Sequence, residues 1–188
     1  MQRALRFGVL GMLSVLAWPA HAGSPGGNVL PPIGHTFFCM HYPDDCDPTG
    51  GRRIPDVLPQ LRQRLLETVN QTVNSAIIPK AGKPSLINRH WSIEPVVGDC
   101  NDYAVTKRHK LLEAGWPASA LLLAEVRLIA TGEHHLILIV RGKTADWVLD
   151  NRYATVVKLA TTRNQYILYR VESAEDPKFW TRSLARES

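Results

Sequence analysis

The chain has 188 residues, of which 45% are hydrophobic, and it carries a formal net charge of +5. That length is sufficient for one domain with its own hydrophobic core. The basic residues are scattered along the sequence rather than interleaved with aromatic residues, so the charge does not indicate a nucleic-acid partner.

The first 22 residues have the pattern of an export signal. Two arginines precede an apolar run from Phe7 to Trp18, and the run is followed by the small-x-small sequence Ala20-His21-Ala22. A membrane-spanning helix needs about 20 apolar residues, so this run is too short to be one. We therefore predict a signal peptide over residues 1–22 and a single domain over residues 23–188. The mature protein is expected to be periplasmic or secreted, without membrane attachment.

After the leader, the segment from Ile33 to Cys46 is expected to be the first ordered piece of the chain, and a helix is predicted further on. Between Pro55 and Ile77, Leu and Val recur at intervals of three and four residues, which is the stripe of an amphipathic helix. We predict a helix over this stretch, with its end before Pro79.

A second helix is predicted from Cys100 to Leu112. Gly115, followed by Pro117, is typical of the end of a helix. The long connection before it, residues 80–97, contains Gly and Pro, and loops of this length in compact domains tend to carry function. We expect the basic residues of the helix to lie on its solvated side; they are Lys107, Arg108 and Lys110.

The second half of the chain has the pattern of short strands separated by turn residues. Connections this short permit antiparallel neighbours and exclude crossover helices. We therefore predict an α+β domain in which N-terminal helices pack on an antiparallel meander. The strand-like runs are Leu121 to Ile129, His134 to Val140, Trp147 to Leu149, Thr155 to Leu159 and Tyr166 to Val171.

Cys100 is the candidate nucleophile. It lies at the start of a helix, where unpaired N–H groups and the positive end of the helix dipole favour a thiolate. In an exported protein with three cysteines, one disulfide leaves one free thiol. Cys39 and Cys46 are close in sequence with a prolyl turn between them, so they are expected to pair. The alternative is that all three cysteines are reduced and Cys100 fills the core.

A cysteine nucleophile needs an imidazole base, and the base needs a carboxylate to fix its tautomer. The hairpin between the second and third predicted strands offers both. If Gly142 and Lys143 are the central residues of its turn, His135 faces Asp150 directly. If the turn is two residues longer, Asp150 is diagonal to His135 and still within reach. In both registers the two residues lie on one face of the hairpin.

His134 is the rival base. Strand alternation directs it to the face opposite His135, and the hairpin alone does not decide which face meets Cys100. We favour His135 because Asp150 pairs with it. The alternative is that a histidine and an aspartate make ordinary polar contacts at a strand end.

Five short motifs stand out along the chain: Gly98-Asp99-Cys100-x-Asp102-Tyr103, Lys107-Arg108, Gly115-Trp116-Pro117, Gly-Glu-x-His135 and Trp147-Val148-Leu149-Asp150-Asn151. Together they resemble the bacterial transglutaminase-like cysteine proteinases, which include LapG-like periplasmic peptidases. This resemblance implies a papain-like, transglutaminase-like fold and a Cys-His-Asp triad, which falls on Cys100, His135 and Asp150. It also implies a protein substrate, such as a cell-surface adhesin.

The resemblance also implies a calcium site formed by the acidic residues that flank the cysteine. Asp99 matches the first of these, but Asn101 stands where LapG-like members carry glutamate. An amide oxygen can bind calcium, but it contributes no charge. We therefore expect calcium binding that is weakened by Asn101, or none, and no cofactor for the chemistry itself. The alternative role of Asp99 is to cap the helix.

These features predict an exported cysteine peptidase that cleaves a protein substrate through a thioester. One alternative keeps the triad and lets an amine resolve the thioester, which would make the protein a transglutaminase or amidase. Another is a non-catalytic module of the cell envelope that holds a peptide in the same cleft.

Overall fold

The computed structural model of the protein describes residues 27–48, 59–80 and 90–182. The signal peptide predicted over residues 1–22 lies outside the described residues, and so does the start of the helix predicted from Pro55. In the described ranges, every helix is too short or too polar to cross a membrane.

The described residues form three α-helices: α1 over Ile33–His41, α2 over Pro59–Ala76 and α3 over Cys100–Glu113. The apolar stripe predicted for α2 is buried only in its second half, since Val69, Val73 and Ile77 are buried, Leu65 is partly buried and Leu61 is 51% exposed. Leu66, which lies outside that stripe, is also buried. The helix packs toward α3, because an apolar face must be covered by a neighbour.

The start of α3 is fixed by reciprocal capping. The Asp99 carboxylate accepts the backbone N–H of Asn101 at 3.0 Å, and the Asp102 carboxylate accepts the N–H of Asp99 at 2.9 Å. Such a capping box satisfies N–H groups that have no partner within the helix. A Cβ atom at Gly98 would lie 2.8 Å from the Cβ of Asp102, so only glycine lets the chain enter the helix here. Gly115, with a φ of +86°, ends the helix as predicted.

Seven strands of the described residues form one antiparallel sheet in the order β1-β9-β8-β4-β5-β6-β7. Two further strands, β2 and β3, pair in parallel beside the start of α3. The strands are β1 Asn28–Val29, β2 Ile78–Pro79, β3 Val97–Gly98, β4 Leu121–Leu128, β5 His134–Val140, β6 Trp147–Leu149, β7 Val157–Lys158, β8 Tyr166–Glu172 and β9 Trp180–Arg182.

The α+β class is confirmed, but the simple meander is wrong. β4 to β7 follow one another as predicted, whereas β8 returns to the free edge of β4 and carries β9 and β1 with it. Local periodicity specifies a strand and its two faces, but it does not specify which open edge a later strand joins. The return of β8 places its first residue, Tyr166, near the end of β6.

The sheet separates two apolar layers by alternation along the strands. On one face, Leu136 and Leu138 of β5 pack with α3 and the aromatic residues behind it. On the other face, Ile137 and Ile139 pack with residues of β4 and β6. His135 shares this second face and lies at the start of β5, where it lines the same cleft as Cys100.

The expectation that Lys107 and Arg108 are solvated is wrong, because both are fully buried. The Arg108 guanidinium donates to the backbone oxygen of Leu121 at 3.1 Å and lies 3.5 Å from the Glu172 carboxylate. It also donates to the backbone oxygen of Asp45. Arg108 therefore links α3 to the sheet and to the disulfide segment.

Candidate active site

The free thiol of the protein is Cys100, the first residue of α3. The predicted disulfide is present between Cys39 and Cys46, with an S–S distance of 2.00 Å and a Cα–Cα distance of 5.5 Å. The alternative of three reduced cysteines is therefore wrong. Cys100 is 2% exposed and is one of the residues that line a cleft.

Burial raises the pKa of the Cys100 thiol from its ordinary value of 9.0 to about 12. The backbone N–H of Leu136 faces the sulfur and acts in the opposite direction, whereas the charge of Asp99 adds to the rise. The lowered pKa expected at a helix start is thus outweighed by desolvation. The thiol keeps its proton at neutral pH until a neighbouring base accepts it.

His135 and Asp150 form a buried hydrogen bond. The Nε2–H of His135 donates to Asp150 Oδ1 at 2.8 Å, and both side chains are nearly inaccessible to solvent. The hairpin has the longer of the two turns considered, since Leu138 pairs with Leu149, and Asp150 is therefore diagonal to His135. Because the carboxylate binds Nε2–H, the other ring nitrogen, Nδ1, carries the lone pair.

Asp150 is held by three further contacts. The Tyr166 hydroxyl donates to Oδ2, and the backbone N–H of Arg152 donates to Oδ1 at 2.9 Å. Burial alone would raise the pKa of this carboxyl, but the hydrogen bond and charge of His135, with the Tyr166 and Arg152 contacts, hold it below its usual range. Asn74 of α2 binds the Asp150 backbone oxygen. No local pattern points to Tyr166, because its role depends on where β8 joins the sheet.

Cys100 and His135 line one cleft of about 230 Å³. Its walls come from β2, β3, the first turn of α3, the turn between β4 and β5, and the two residues that follow Asp150. Lys80 and Arg152 contribute cations to the lining, and Asp99 and Glu133 contribute anions. The lining of the cleft therefore carries charges of both signs.

His134 is less suited to be the base. It is about half exposed, and its Nδ1 lies 2.6 Å from Oε1 of Glu125, a buried carboxylate that also accepts from Arg170. Alternation along β5 directs it away from the Asp150 side, as the sequence indicated.

The carboxylates that flank Cys100 bind backbone N–H groups at the start of α3. Asp99 uses a carboxylate oxygen to cap α3, and Asn101 is fully buried in the first turn. Both carboxylate oxygens of Asp102 accept backbone N–H groups, from Ser92 and from Asp99. Calcium prefers six to eight oxygen ligands. Within residues 27–48, 59–80 and 90–182, no cluster of three or more acidic, histidine or cysteine ligands includes Asp99.

Lys107 is a buried cation that the sequence analysis placed in solvent. Its ammonium lies 5.9 Å from the centre of the Tyr103 ring and has no hydrogen-bond partner among the described residues. Burial lowers the pKa of Lys107 to about 7, and the charge of Asp150 partly opposes this. The available signal was position, since Lys107 lies two helical turns after Cys100 on the same face.

Together, a free thiol and an oriented imidazole in one cleft are the groups that acyl transfer through a thioester requires. A family model described as bacterial transglutaminase-like cysteine proteinase (BTLCP) matches residues 25–187. The chain belongs to this family. This BTLCP is therefore a cysteine peptidase with a transglutaminase-like fold, as the motifs of the sequence implied. A search of curated proteins gives no match.

Solved structures of LapG from Legionella pneumophila share the fold of this BTLCP. A calcium-bound form has a TM-score of 0.53 and 20% sequence identity, and the match covers 68% of this chain and 74% of that chain. An EGTA-treated form has a TM-score of 0.54 and 18% identity, with 68% and 70% covered. A third LapG structure has a TM-score of 0.52 and 19% identity, with 64% and 67% covered.

Proposed function

We propose that this protein is an exported peptidase that cleaves a protein substrate with the triad Cys100, His135 and Asp150. The observation that carries the proposal is the buried 2.8 Å hydrogen bond between His135 and Asp150, at the edge of the cleft that contains the free thiol. Because burial raises the pKa of Cys100 to about 12, the sulfur needs a base. His134 and His135 both line the cleft, and we assign the role to His135 because its hydrogen bond to Asp150 orients the ring.

In this mechanism His135 Nδ1 accepts the Cys100 proton as the sulfur attacks a peptide carbonyl. The carbonyl oxygen becomes an oxyanion, and the backbone N–H of Cys100 stabilises it. One such donor lowers the activation barrier by about 3 kcal/mol. Imidazolium then gives its proton to the leaving amine, and a thioester remains on Cys100. His135 then takes a proton from water as the water oxygen attacks the thioester carbonyl; the C–S bond breaks, the imidazolium returns the proton to the Cys100 sulfur, and a carboxylic acid is released. Asp150 keeps the imidazole in the required tautomer and stabilises its charged form.

Export and substrate are further parts of the proposal. The leader pattern of residues 1–22 supports a periplasmic or secreted location, and the family supports a protein substrate, with a cell-surface adhesin as the candidate. Cell fractionation, with Edman sequencing of the mature chain, should find the protein outside the cytoplasm and starting at Gly23. Retention of residues 1–22 would contradict this part without affecting the triad.

Calcium is proposed to bind weakly or not at all, and no step of the mechanism uses it. The neutral Asn101 and the capping role of Asp99 support this. Isothermal titration of the purified protein with calcium chloride should detect no site below the millimolar range. A micromolar site would contradict the proposal, and Asn101→Glu provides the matched variant in which tighter binding is expected.

The proposal is tested with a library of unstructured protein substrates, assayed for new N-termini by mass spectrometry. Wild-type protein should generate cleavage products and Cys100→Ala should generate none. A labelled primary amine included in the same reaction distinguishes the two acceptors. Incorporation of the amine in place of cleavage would identify a transglutaminase. Binding of substrate with neither product would identify a non-catalytic module.

A further inference from the structure

Helix α2 contacts the segment that carries Asp150 through two asparagines one turn apart. Asn74 Nδ2 donates to the backbone oxygens of Asp150 at 3.1 Å and Tyr153 at 3.0 Å. Asn70 Nδ2 donates to Tyr153 at 2.8 Å and to Ala154 at 3.2 Å. All of these partners are carbonyl oxygens, which only accept, so the amide nitrogens must face them.

The segment that receives these bonds has no strand ladder of its own. β6 ends at Leu149 and β7 begins at Val157, and the residues between them form turns and bends. The backbone of Asp150 is therefore not held by the sheet. Asn70 is fully buried, and its spacing from Asn74 places both amides on one face of α2. Helix α2 thus anchors a turn that the sheet leaves free.

We propose that Asn74, supported by Asn70, is a positioning residue that holds the Asp150 turn where its carboxylate bonds His135. This inference rests on the proposed function, since it takes Asp150 as the acid of the triad. Asn74 touches neither the thiol nor the imidazole. It acts through Asp150, and a displacement of about 1 Å in a catalytic group can lower a rate about 100-fold.

The test uses Asn74→Leu, which keeps a side chain of similar size but cannot donate a hydrogen bond. Asn70→Leu is the second variant, and Val73→Ala is the control, because Val73 is a buried core residue on the same helix that makes no such bond to the turn. For each protein, the rate of Cys100 alkylation by iodoacetamide is measured across pH 5–10 by mass spectrometry, and the thermal unfolding midpoint is measured alongside.

We expect Asn74→Leu to lower the alkylation rate at pH 7 by about 10- to 100-fold and to move the midpoint of the profile to higher pH, toward that of Asp150→Asn. Asn70→Leu should give a smaller change in the same direction, because its bonds reach Tyr153 and Ala154 only. The groups that face Asp150, namely His135, Tyr166, Lys107 and Cys100, are intact in these variants. Val73→Ala should lower the unfolding midpoint and leave the rate and profile unchanged.

Two results would overturn the inference, and they are distinguishable. If wild type and His135→Ala react with the same rate and profile, the triad is wrong, and the role of Asn74 is wrong with it. If wild type and His135→Ala differ strongly while Asn74→Leu matches Val73→Ala, the triad stands and the positioning role alone is overturned.

Discussion

Two regions among the described residues combine a sulfur, an imidazole and a carboxylate, and they differ in access and in the state of the sulfur. At the cleft, His135 binds Asp150 and shares the lining with the free Cys100. In the interior beside α1, His35 Nε2 lies 3.3 Å from Glu172 and 3.6 Å from the sulfur of Cys39. The sulfur of Cys39 is already bonded to Cys46.

In the interior region, His35 and Glu172 form hydrogen bonds and ion pairs with buried neighbours. Trp180 Nε1–H lies 3.4 Å from His35 Nδ1, so both ring nitrogens have partners. Glu172 also accepts the backbone N–H of Leu123 at 2.9 Å and pairs with the buried Arg108. The comparison shows that a buried histidine and carboxylate are not sufficient for a site. A free sulfur and an open cleft distinguish the first region from the second.

Removing the sulfur atoms of each region should give the largest difference: loss of Cys100 should affect activity, and loss of the disulfide should affect stability. Cys100→Ala is expected to lower the rate of peptide cleavage by at least about 10⁴-fold while unfolding at the wild-type temperature, because the nucleophile is lost and the core is little changed. Cys39→Ser with Cys46→Ser should keep Cys100 reactive and lower the free energy of unfolding by about 2.5 kcal/mol. Denaturant titration and cleavage assays on both proteins check this. Full activity in Cys100→Ala would refute the nucleophile.

The two histidines provide the second contrast. His135→Ala is expected to lower cleavage by about 10³-fold, since it removes both the base and the acid of the mechanism. His35→Ala should leave the chemistry intact and lower the free energy of unfolding by about 3 kcal/mol, because Trp180 and Glu172 lose a buried partner. The measurements are kcat/KM and urea unfolding. If His135→Ala and His35→Ala are both stable and lose activity equally, the two histidines do not differ in role.

The two carboxylates should follow the same division with a smaller effect on rate. Asp150→Asn is expected to lower kcat by about 10²-fold, because an amide can hold the wrong tautomer of His135. Glu172→Gln should preserve kcat and lower the free energy of unfolding by about 3 kcal/mol, since the buried Arg108 loses its charged partner. Steady-state kinetics on the folded variants tests the pair. Normal kcat in Asp150→Asn would exclude Asp150 from the triad.

Much of this arrangement follows from local sequence. Alternation along β5 and β6 predicted their bounds and placed His135 and Asp150 on one face, and the glycine and proline after α3 predicted its end. Alternation does not distinguish the two possible hairpin turns, because both satisfy it. Local patterns did not predict contacts made across the chain, such as those of Tyr166 and Asn74 with Asp150.

The raised pKa of Cys100 likewise depends on contacts between parts of the chain that are distant in sequence. A helix start predicts a lowered thiol pKa, but how deeply the thiol is buried is decided by how α3 packs against β5. Lys107 and Arg108 were assigned to solvent because basic residues on helices are usually exposed. Their burial depends on both faces of α3 being covered.

Lys107 and Arg108 give the smallest contrast. It is measured as the change in the free energy of unfolding with pH. The pKa of Lys107 is lowered to about 7, whereas an unfolded lysine titrates near its ordinary value of 10.5. Between these values the unfolded chain binds more protons, so the free energy of unfolding should rise with pH. Up to about 1.4 kcal/mol per pH unit is expected from this one group. The raised pKa of Cys100 acts in the opposite direction from about pH 8 upward, because the unfolded thiol ionises around its ordinary value of 9.0. Wild type and Lys107→Met share this contribution, so the difference between their slopes reports Lys107.

Lys107→Met should abolish this slope and stabilise the protein at pH 7, because an uncompensated cation is replaced by an apolar side chain. Arg108→Met should instead destabilise it at every pH, since Glu172 loses a buried partner. Urea unfolding at pH 7, 8 and 9 provides the comparison. An unchanged slope in Lys107→Met would show that another group is responsible.

The alkylation of Cys100 by iodoacetamide as a function of pH tests the central claim most directly. If His135 takes the Cys100 proton, wild-type protein reacts well below the thiol's own pKa of about 12, and His135→Ala shifts the reaction to strongly alkaline pH. Superimposable profiles for the two proteins would contradict the account, because the sulfur would then ionise without the imidazole.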